Sequence, residues 1–212
     1  MDQPVNSDGP RQFGSYGEHD RATVRVAIRD WLVLGGLLRK GAPYAGKRVA
    51  DIGCGYRAES SRRLRKQASS TVLVDLSVAD FLRSEEHVEV VEAALPQAMS
   101  KIPDRSIDVL MCSAVLEHLV EPLETVRHFP RVLSSDGVAL ISVPSWTAKR
   151  PLEFAAFRLG MSSDEMNDHK MYYDPRDLWP LLIKAGFRPQ DVQCKKHWLR
   201  VNTVAICRQC PE

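Results

Sequence analysis

The sequence predicts an α/β fold in which a mainly parallel β-sheet is covered by helices on both faces. Three observations support this prediction. Short apolar runs rich in β-branched residues alternate with stretches of helical periodicity. The runs are apolar at nearly every position, which is typical of strands buried on both faces. A glycine-containing turn, "VADIGCGYRAES" (49–60), follows the first run, where sheets of this class hold nucleotide-like ligands.

Length and composition indicate one domain. The chain has 212 residues, of which 44% are hydrophobic and 26% charged, enough for one core but too few for two large domains. Residues 1–19 lack both an apolar stretch and a basic start, so we expect a flexible segment and neither a signal peptide nor a membrane anchor. Five cysteines without regular spacing favour a reducing compartment, which predicts a cytoplasmic protein.

The charge balance gives no electrostatic case for a nucleic-acid partner or a stable membrane association. Lys and Arg total 29 against 27 Asp and Glu, a formal net charge of +2. One basic cluster has helical spacing and is interpreted as a solvated helix face; it comprises Arg62, Arg63, Arg65 and Lys66. The sequence leaves the oligomeric state open.

The first elements form a helix and a βαβ unit. Apolar residues recur at three and four positions over 20–40, which predicts an amphipathic helix that ends at Gly41. Strands are predicted at 47–53 and 71–77, and the stretch between them is compatible with a helix.

The alternation continues towards the carboxyl end of the chain. Further strands are predicted at 87–93, 106–113 and 136–144, with a helix near 121–134. A long stretch then leads to a helix at 175–186 and to two strands within 191–209, joined by a tight turn near residues 200–202. Pro130 and Pro180 fall inside predicted helices, and each is expected to kink or interrupt its helix.

The glycine turn fits two kinds of cofactor. Gly53, Gly55 and Ala58 match G-x-G-x-x-A, and Asp75 lies 22 residues after Gly53, a pattern also found in nicotinamide and flavin dinucleotide sites. Asp51 stands two residues before Gly53, where its carboxylate would repel a pyrophosphate and attract an ammonium and a sulfonium. The acidic position therefore favours S-adenosylmethionine.

Four motifs in order carry a resemblance to a known family. They are "VADIGCG", "VLVDLS", "IDVLMCSAVLEHL" and "RVLSSDGVALISVP", followed by "AGF" before the terminal hairpin. The chain resembles class I S-adenosylmethionine-dependent methyltransferases from about residue 47 to 208, in particular the bacterial group that includes ubiquinone-biosynthesis-like enzymes.

The resemblance implies a single Rossmann-like domain over 20–212, with a mainly parallel seven-stranded sheet whose last strand is antiparallel. It also implies a substrate-cover insertion at about 145–172. The expected reaction moves a methyl group from S-adenosylmethionine to an oxygen of a small metabolite or a glycan or lipid precursor, with nitrogen as the second choice. Two alternatives remain: an NAD(P)-binding oxidoreductase and a non-catalytic partner protein that binds S-adenosylmethionine.

The resemblance assigns the cofactor site residue by residue. The implied cofactor-binding residues are Asp51, Gly53, Cys54, Gly55, Asp75, Leu76, Ala94 and Ser113. The chain departs from the family pattern in two places. Arg57 stands where the family often has a third glycine, and it is expected to turn outward or to pair with Asp51 or Glu59. Ala93 and Ala94 stand where the family often has a carboxylate for adenine.

Three residues are candidates for proton transfer. Glu117 and His118 follow the fourth strand, where an orienting role is favoured over direct chemistry. His169 lies between the fifth strand and the last helix, where the family builds its acceptor pocket.

No metal site is predicted. Four residues near the carboxyl end have zinc-like spacing but are interpreted as buried or incidental side chains: Cys194, His197, Cys207 and Cys210. A hairpin that turned at residues 200–201 would place Cys194 roughly opposite Cys207.

Overall fold

The computed structural model describes residues 15, 35, 37–39, 43–149 and 170–209. Most of the helix predicted over 20–40 lies outside these residues. Leu37 and Leu38 are in helical conformation, and the buried Leu37 packs in the same cluster as Tyr44. The Tyr44 hydroxyl donates a hydrogen bond to the Leu38 carbonyl oxygen, which ties this helical residue to the chain that enters the sheet.

Seven strands form one sheet in the order β3-β2-β1-β4-β5-β7-β6. Neighbouring strands run parallel except for β7, which is antiparallel to both β5 and β6. Their bounds are Arg48–Ile52 (β1), Ser70–Asp75 (β2), Val88–Glu92 (β3), Ile107–Ser113 (β4), Leu133–Pro144 (β5), Val192–His197 (β6) and Asn202–Arg208 (β7). The predicted sheet, mainly parallel with an antiparallel last strand, is confirmed.

The strand order reverses between β1 and β4. The chain runs outward from β1 through β2 to β3, returns to the other side of β1 as β4, and continues to β5. In open α/β sheets, ligands bind at the carboxyl ends of the strands next to such a reversal, which here are β1 and β4.

Apolar side chains cover both faces of the sheet, as the continuous apolar runs predicted. One face packs against the helices that follow β4 and β5, and its buried residues include Ala50, Ile52, Leu110, Phe129 and Leu178. The other face packs against the helices near the amino end, and its buried residues include Leu37, Val49, Leu64, Val109 and Met111. Alternate residues of each strand thus supply the two cores.

The described α-helices are Arg62–Arg65 (α1), Asp80–Arg83 (α2), Pro122–Val126 (α3), His128–Val132 (α4) and Pro175–Lys184 (α5). The predicted helix over 121–134 is split into α3 and α4 at Arg127. Pro130 explains the split, since it offers no N–H to the carbonyl of Val126 and its ring crowds that carbonyl.

Pro180 does not interrupt α5, so the interruption, one of the two effects expected of this proline, does not occur. The helix starts on a capping box in which Asp174 and Asp177 bond each other's backbone N–H groups. Leu178 and Leu182 are fully buried on either side of the proline. This cap and buried stripe hold the helix together across one missing hydrogen bond.

The terminal hairpin turns earlier than predicted. Its four-residue turn covers 198–201, and His197 pairs with Asn202. Cys194 therefore lies opposite Ala205, and Cys207 lies opposite Val192, so the expected Cys194–Cys207 pairing is wrong. Ser145 holds the turn, because its N–H donates to Val201 O at 2.9 Å and its hydroxyl donates to Arg200 O at 2.7 Å.

The basic cluster after the glycine turn is not wholly a solvated face. The Arg65 side chain is only 4% exposed and forms an ion pair with Glu85 at 3.0 Å. It also donates to the carbonyl oxygen of Ala58. Arg65 thus stabilises the packing of α1 against the loop before β3, while Arg63 stays exposed.

Candidate active site

The predicted cofactor residues lie along one edge of the sheet. Asp51 and the glycine turn are at the end of β1, Asp75 and Leu76 at the end of β2, Ala94 beyond β3, and Ser113 at the end of β4. These four strands are adjacent in the order β3-β2-β1-β4, and their carboxyl ends meet at the same edge. The fold therefore gathers residues that are separated by up to 62 positions in the sequence.

The turn after β1 needs glycine for two reasons. Gly53 and Gly55 have φ angles of +71° and +72°, which side-chain-bearing residues rarely adopt. A Cβ on Gly53 would also lie 2.3 Å from Val115 Cγ2. The N–H groups of Gly53 and Cys54 both donate to Val74 O, at 2.8 and 3.1 Å. The turn is thus clamped between β2 and the loop after β4.

Asp51 is buried at the inner end of this turn. It is 2% exposed and pairs with Met111 in the β1–β4 register. Burial, followed by the negative charges of Asp51 and Asp75, raises the pKa of the Cys54 thiol. Burial, followed by the charges of Glu117 and Asp51, also raises the pKa of Cys112. Both thiols therefore stay neutral at ordinary pH, and the charges that act on them come from the neighbouring carboxylates.

Asp75 accepts hydrogen bonds on both carboxylate oxygens. The Gly55 N–H donates to Oδ2 and the Leu76 N–H donates to Oδ1, each at 2.7 Å. The hydroxyl of Ser15 donates to Oδ1 at 2.5 Å, and the same Ser15 oxygen accepts the Ser77 N–H at 2.6 Å. The carboxylate is thus oriented by the glycine turn itself and by the chain that follows β2.

The two departures from the family pattern have different outcomes. Arg57 is exposed and turns outward, which is one of the two arrangements expected for it. Ala94 is also exposed, and its carbonyl oxygen accepts the Ala98 N–H at 2.9 Å. The nearest carboxylate, Glu92, is engaged elsewhere, because it accepts the Val78 N–H at 2.8 Å and pairs with Arg83 at 2.6 Å. These bonds lower the pKa of Glu92 and hold the loop after β2.

The segment after β4 carries the predicted proton-transfer pair. Ser113 is partly buried, and Ala114 has a left-handed φ of 55° while its N–H donates to Ser142 O at 2.9 Å. A 3₁₀ turn, Leu116–His118, follows directly. Residues other than glycine are strained in the left-handed conformation that Ala114 adopts, and such residues cluster at functional sites.

Glu117 and His118 differ sharply in exposure. Glu117 is 1% exposed, and its carbonyl oxygen accepts the N–H of Lys170 at 2.7 Å and that of Met171 at 3.3 Å. His118 is only partly buried. The turn thus joins the chain that leads into α5, with His118 as its more exposed residue, although the Nδ1 atom of His118 is buried. His169 lies outside the described residues, as do residues 150–169 of the predicted substrate cover.

An apolar rim borders this turn. Trp146, just beyond β5, is 43% exposed, and its ring centroid lies 5.7 Å from that of Tyr172. The Trp146 indole N–H donates to Asp177 at 3.2 Å, which orients the ring. Met171 and Val120 are also exposed on the segments next to Glu117. We call Val120, Trp146, Met171 and the buried Tyr172 the apolar rim.

Among the described residues, no group of three or more His, Cys, Asp or Glu side chains is placed to hold a metal ion. Cys210 lies outside those residues. Burial raises the pKa of Cys194 to about 12, so this thiol is neutral at ordinary pH. Within the same part of the chain, no helix has both the length and the apolar character needed to cross a membrane.

Sequence reasoning missed Ser15 and Val120, whereas the other three rim residues, Trp146, Met171 and Tyr172, lie within the substrate cover predicted at about 145–172. Ser15 contacts a carboxylate 60 positions away, and no local pattern signals such a contact. The rim joins residues from three separate segments, although an exposed tryptophan directly after a buried strand is a usable signal.

Comparison with known proteins agrees with this geometry. The sequence model of one protein family, described as a methyltransferase domain, matches residues 24–192. A ubiquinone biosynthesis O-methyltransferase of Psychrobacter arcticus is 27% identical over 176 residues, which cover 74% of this chain and 68% of that protein. An enzyme of the same name from Ralstonia nicotianae is 29% identical over 161 residues, which cover 72% of this chain and 67% of its own.

The fold also resembles a solved structure. A SAM-dependent methyltransferase from Archaeoglobus fulgidus superposes with a TM-score of 0.63 at 18% sequence identity, covering 88% of this chain and all of that chain (100%). These matches support S-adenosylmethionine as the cofactor and disfavour both the dinucleotide oxidoreductase and the non-catalytic alternative.

Proposed function

Since the chain belongs to the methyltransferase-domain family, we propose that it transfers a methyl group from S-adenosylmethionine to a hydroxyl oxygen of a small aromatic acceptor. The observation that supports the aromatic part of this proposal is the apolar rim. The exposed Trp146 ring lies 5.7 Å from that of Tyr172, and the neighbouring Met171 N–H donates to Glu117 O in the turn that bears His118. The names of the two bacterial O-methyltransferases support oxygen as the receiving atom.

The residues at the carboxyl edge fit the cofactor. Bound S-adenosylmethionine supplies a methyl group on a cationic sulfur, and the charge on that sulfur is lost on transfer. We assign Asp51 to its cationic amino-acid end and Asp75 to its ribose hydroxyls, with Gly53 and Gly55 allowing close approach of the backbone. The negative charges of Asp51 and Asp75 next to the Cys54 thiol, and the partly exposed Asp75 carboxylate oriented by the Gly55 N–H, support these roles. Cys54, Leu76, Ala94 and Ser113 are proposed to form the surrounding walls.

Methyl transfer places two demands on the chain's own residues. They must align the acceptor oxygen with the methyl group and keep water out, and they must accept the proton of a weakly acidic hydroxyl. We propose His118 as the base, because it is the accessible member of its turn, and Glu117 as a positioning residue that fixes that turn. His169 remains the second proposed base.

The test is methyl transfer from labelled S-adenosylmethionine to 3,4-dihydroxybenzoate. Transfer to this phenol, and none to 3,4-dimethoxybenzoate, is expected if a free aromatic hydroxyl is the acceptor. Product analysis by mass spectrometry identifies the methylated oxygen. Transfer to 3,4-diaminobenzoate with none to the phenol would contradict oxygen as the receiving atom.

Variants locate the base. His118→Ala should lower kcat by about 10² to 10⁴ while leaving the Kd for S-adenosylhomocysteine within a factor of three. The matched control is His87→Ala, because His87 is exposed before β3 at the opposite edge of the sheet. A full loss of kcat in His169→Ala with none in His118→Ala would transfer the role to His169.

A further inference from the structure

The hydroxyl of Ser15 occupies a position inside the cofactor site. Its oxygen is bonded on two sides, as donor to Asp75 Oδ1 at 2.5 Å and as acceptor of the Ser77 N–H at 2.6 Å. Ser15 is only 5% exposed, although it belongs to the segment of the chain that composition predicts to be flexible. A serine in such a segment is ordinarily solvated, so its burial against a carboxylate needs an explanation.

A ribose hydroxyl has the same bonding capacity as this side chain. Each is a single O–H group that donates one hydrogen bond and accepts others. A ribose hydroxyl held by Asp75 Oδ1 would therefore satisfy the same carboxylate oxygen and the same Ser77 N–H that Ser15 satisfies now. Two hydroxyl oxygens cannot share that position, because each fills the space within about 2.7 Å of both partners.

The second carboxylate oxygen is arranged differently. Asp75 Oδ2 accepts the Gly55 N–H at 2.7 Å from within the glycine turn, and no ligand group has to displace that bond, since a carboxylate oxygen accepts more than one. Oδ1 already accepts two hydrogen bonds, from the Leu76 N–H and from the Ser15 hydroxyl, so a ribose hydroxyl bound there has to replace Ser15.

We propose that Ser15 is a cofactor-site residue whose hydroxyl stands in for one ribose hydroxyl and must leave Asp75 when the cofactor binds. Ser15 lowers the affinity for the cofactor, because its hydrogen bonds to Asp75 and Ser77 must break before the ribose hydroxyl can bind. In the absence of cofactor it keeps the Asp75 carboxylate and the Ser77 N–H hydrogen-bonded. The proposal rests on the family's cofactor and not on the proposed acceptor.

The test is calorimetric binding of S-adenosylhomocysteine to the full chain. Ser15→Ala is expected to bind about tenfold more tightly than the wild type, because one charge-assisted hydrogen bond no longer has to be broken. The matched control is Ser69→Ala, which removes an exposed hydroxyl that donates to Gly46 O, away from the site. Its affinity should stay within a factor of two of the wild type.

Analogues of the ligand locate the exchange. The 2′-deoxy and 3′-deoxy forms of S-adenosylhomocysteine each lack one hydroxyl. With the analogue that lacks the competing hydroxyl, Ser15 keeps its bonds, so the wild type and Ser15→Ala should bind equally. With the other analogue the tenfold difference should persist.

Thermal unfolding supplies a second readout, because it also reports the stability of the ligand-free protein. Ser15→Ala should melt below the wild type without ligand and together with it at saturating S-adenosylhomocysteine. Equal or weaker binding by Ser15→Ala, or a melting difference that saturation does not remove, would overturn the proposal. Failure to methylate a phenol would count against the proposed acceptor alone, because these measurements use no acceptor.

Discussion

Three carboxylates at the carboxyl edge of the sheet differ in what surrounds them. Asp51 is buried beside neutral thiols, whereas Asp75 is oriented by backbone N–H groups and keeps partial exposure. Glu117 is enclosed beneath the chain that leads into α5. The spacing to Gly53 predicted the positions of Asp51 and Asp75, but the Ser15 contact could not be predicted, because it joins segments that no local pattern relates.

We expect Tyr173 to make the stability of the segment around the Leu116–His118 turn depend on pH. Its hydroxyl contacts Leu116 O at 3.4 Å, and burial, followed by the charges of Glu117 and Asp177, raises its pKa to about 12. A pKa raised in the folded state means that this stabilisation is complete below about pH 10, the unfolded value, and is lost as the pH rises towards 12.

Urea unfolding of the wild type and Tyr173→Phe at pH 9 and pH 11 checks this expectation. Between these pH values the wild type should lose about 1 kcal/mol more unfolding free energy than the variant. Between pH 7 and pH 9 the two curves should run in parallel, which serves as the internal control. Parallel curves up to pH 11 would show that Tyr173 does not contribute to the alkaline loss of stability.

At the scale of the element, the strands were more predictable than the turns. β1 to β4 begin and end within two residues of the predicted ranges, since a buried strand shows as a bounded apolar run. The turn at 198–201 was misplaced because it contains no glycine or asparagine to mark it. Tertiary bonds from Ser145 hold it instead, and three successive residues, Trp198, Leu199 and Arg200, have positive φ angles of 39°, 49° and 67°.

This strained turn offers a stabilising substitution. Leu199 is 82% exposed, so its side chain contributes little packing, while a left-handed φ costs a residue with a Cβ about 1 to 2 kcal/mol. Glycine also adds conformational entropy to the unfolded chain, which offsets part of the relieved strain. Leu199→Gly should therefore raise the unfolding free energy by about 0.5 to 1 kcal/mol. Leu199→Ala is the matched control, since it removes the same exposed side chain and keeps the Cβ. Equal stability of the two variants in urea unfolding would exclude backbone strain as the cause.

Across the whole molecule, the alternation of strands and helices was enough to predict the sheet. It did not predict which other segments of the chain pack at the carboxyl edge of the sheet. The motif order placed Asp51, Asp75 and Ser113 on strands that proved adjacent. The apolar rim depends on how the segment before α5 returns to the turn at Glu117, a contact between residues more than 50 positions apart. Such returns are set by tertiary packing, so periodicity carries no information about them.

The proposed cofactor residues lie on adjacent strands on both sides of the point where the strand order reverses, between β1 and β4. We therefore expect cofactor binding to stabilise the whole domain. Saturation with S-adenosylhomocysteine at one hundred times its Kd adds about 2.7 kcal/mol to the unfolding free energy, which raises the Tm of a domain of this size by about 5 to 10 °C. NAD at the same concentration should leave the Tm unchanged, because Asp51 repels its pyrophosphate.

Asp51→Asn keeps the buried shape and removes the charge, so we expect a shift in Tm below about 2 °C at the same S-adenosylhomocysteine concentration. Asp80→Asn, which alters an exposed carboxylate on α2, should respond like the wild type. A full shift in Asp51→Asn would exclude the Asp51 charge as a determinant of cofactor binding.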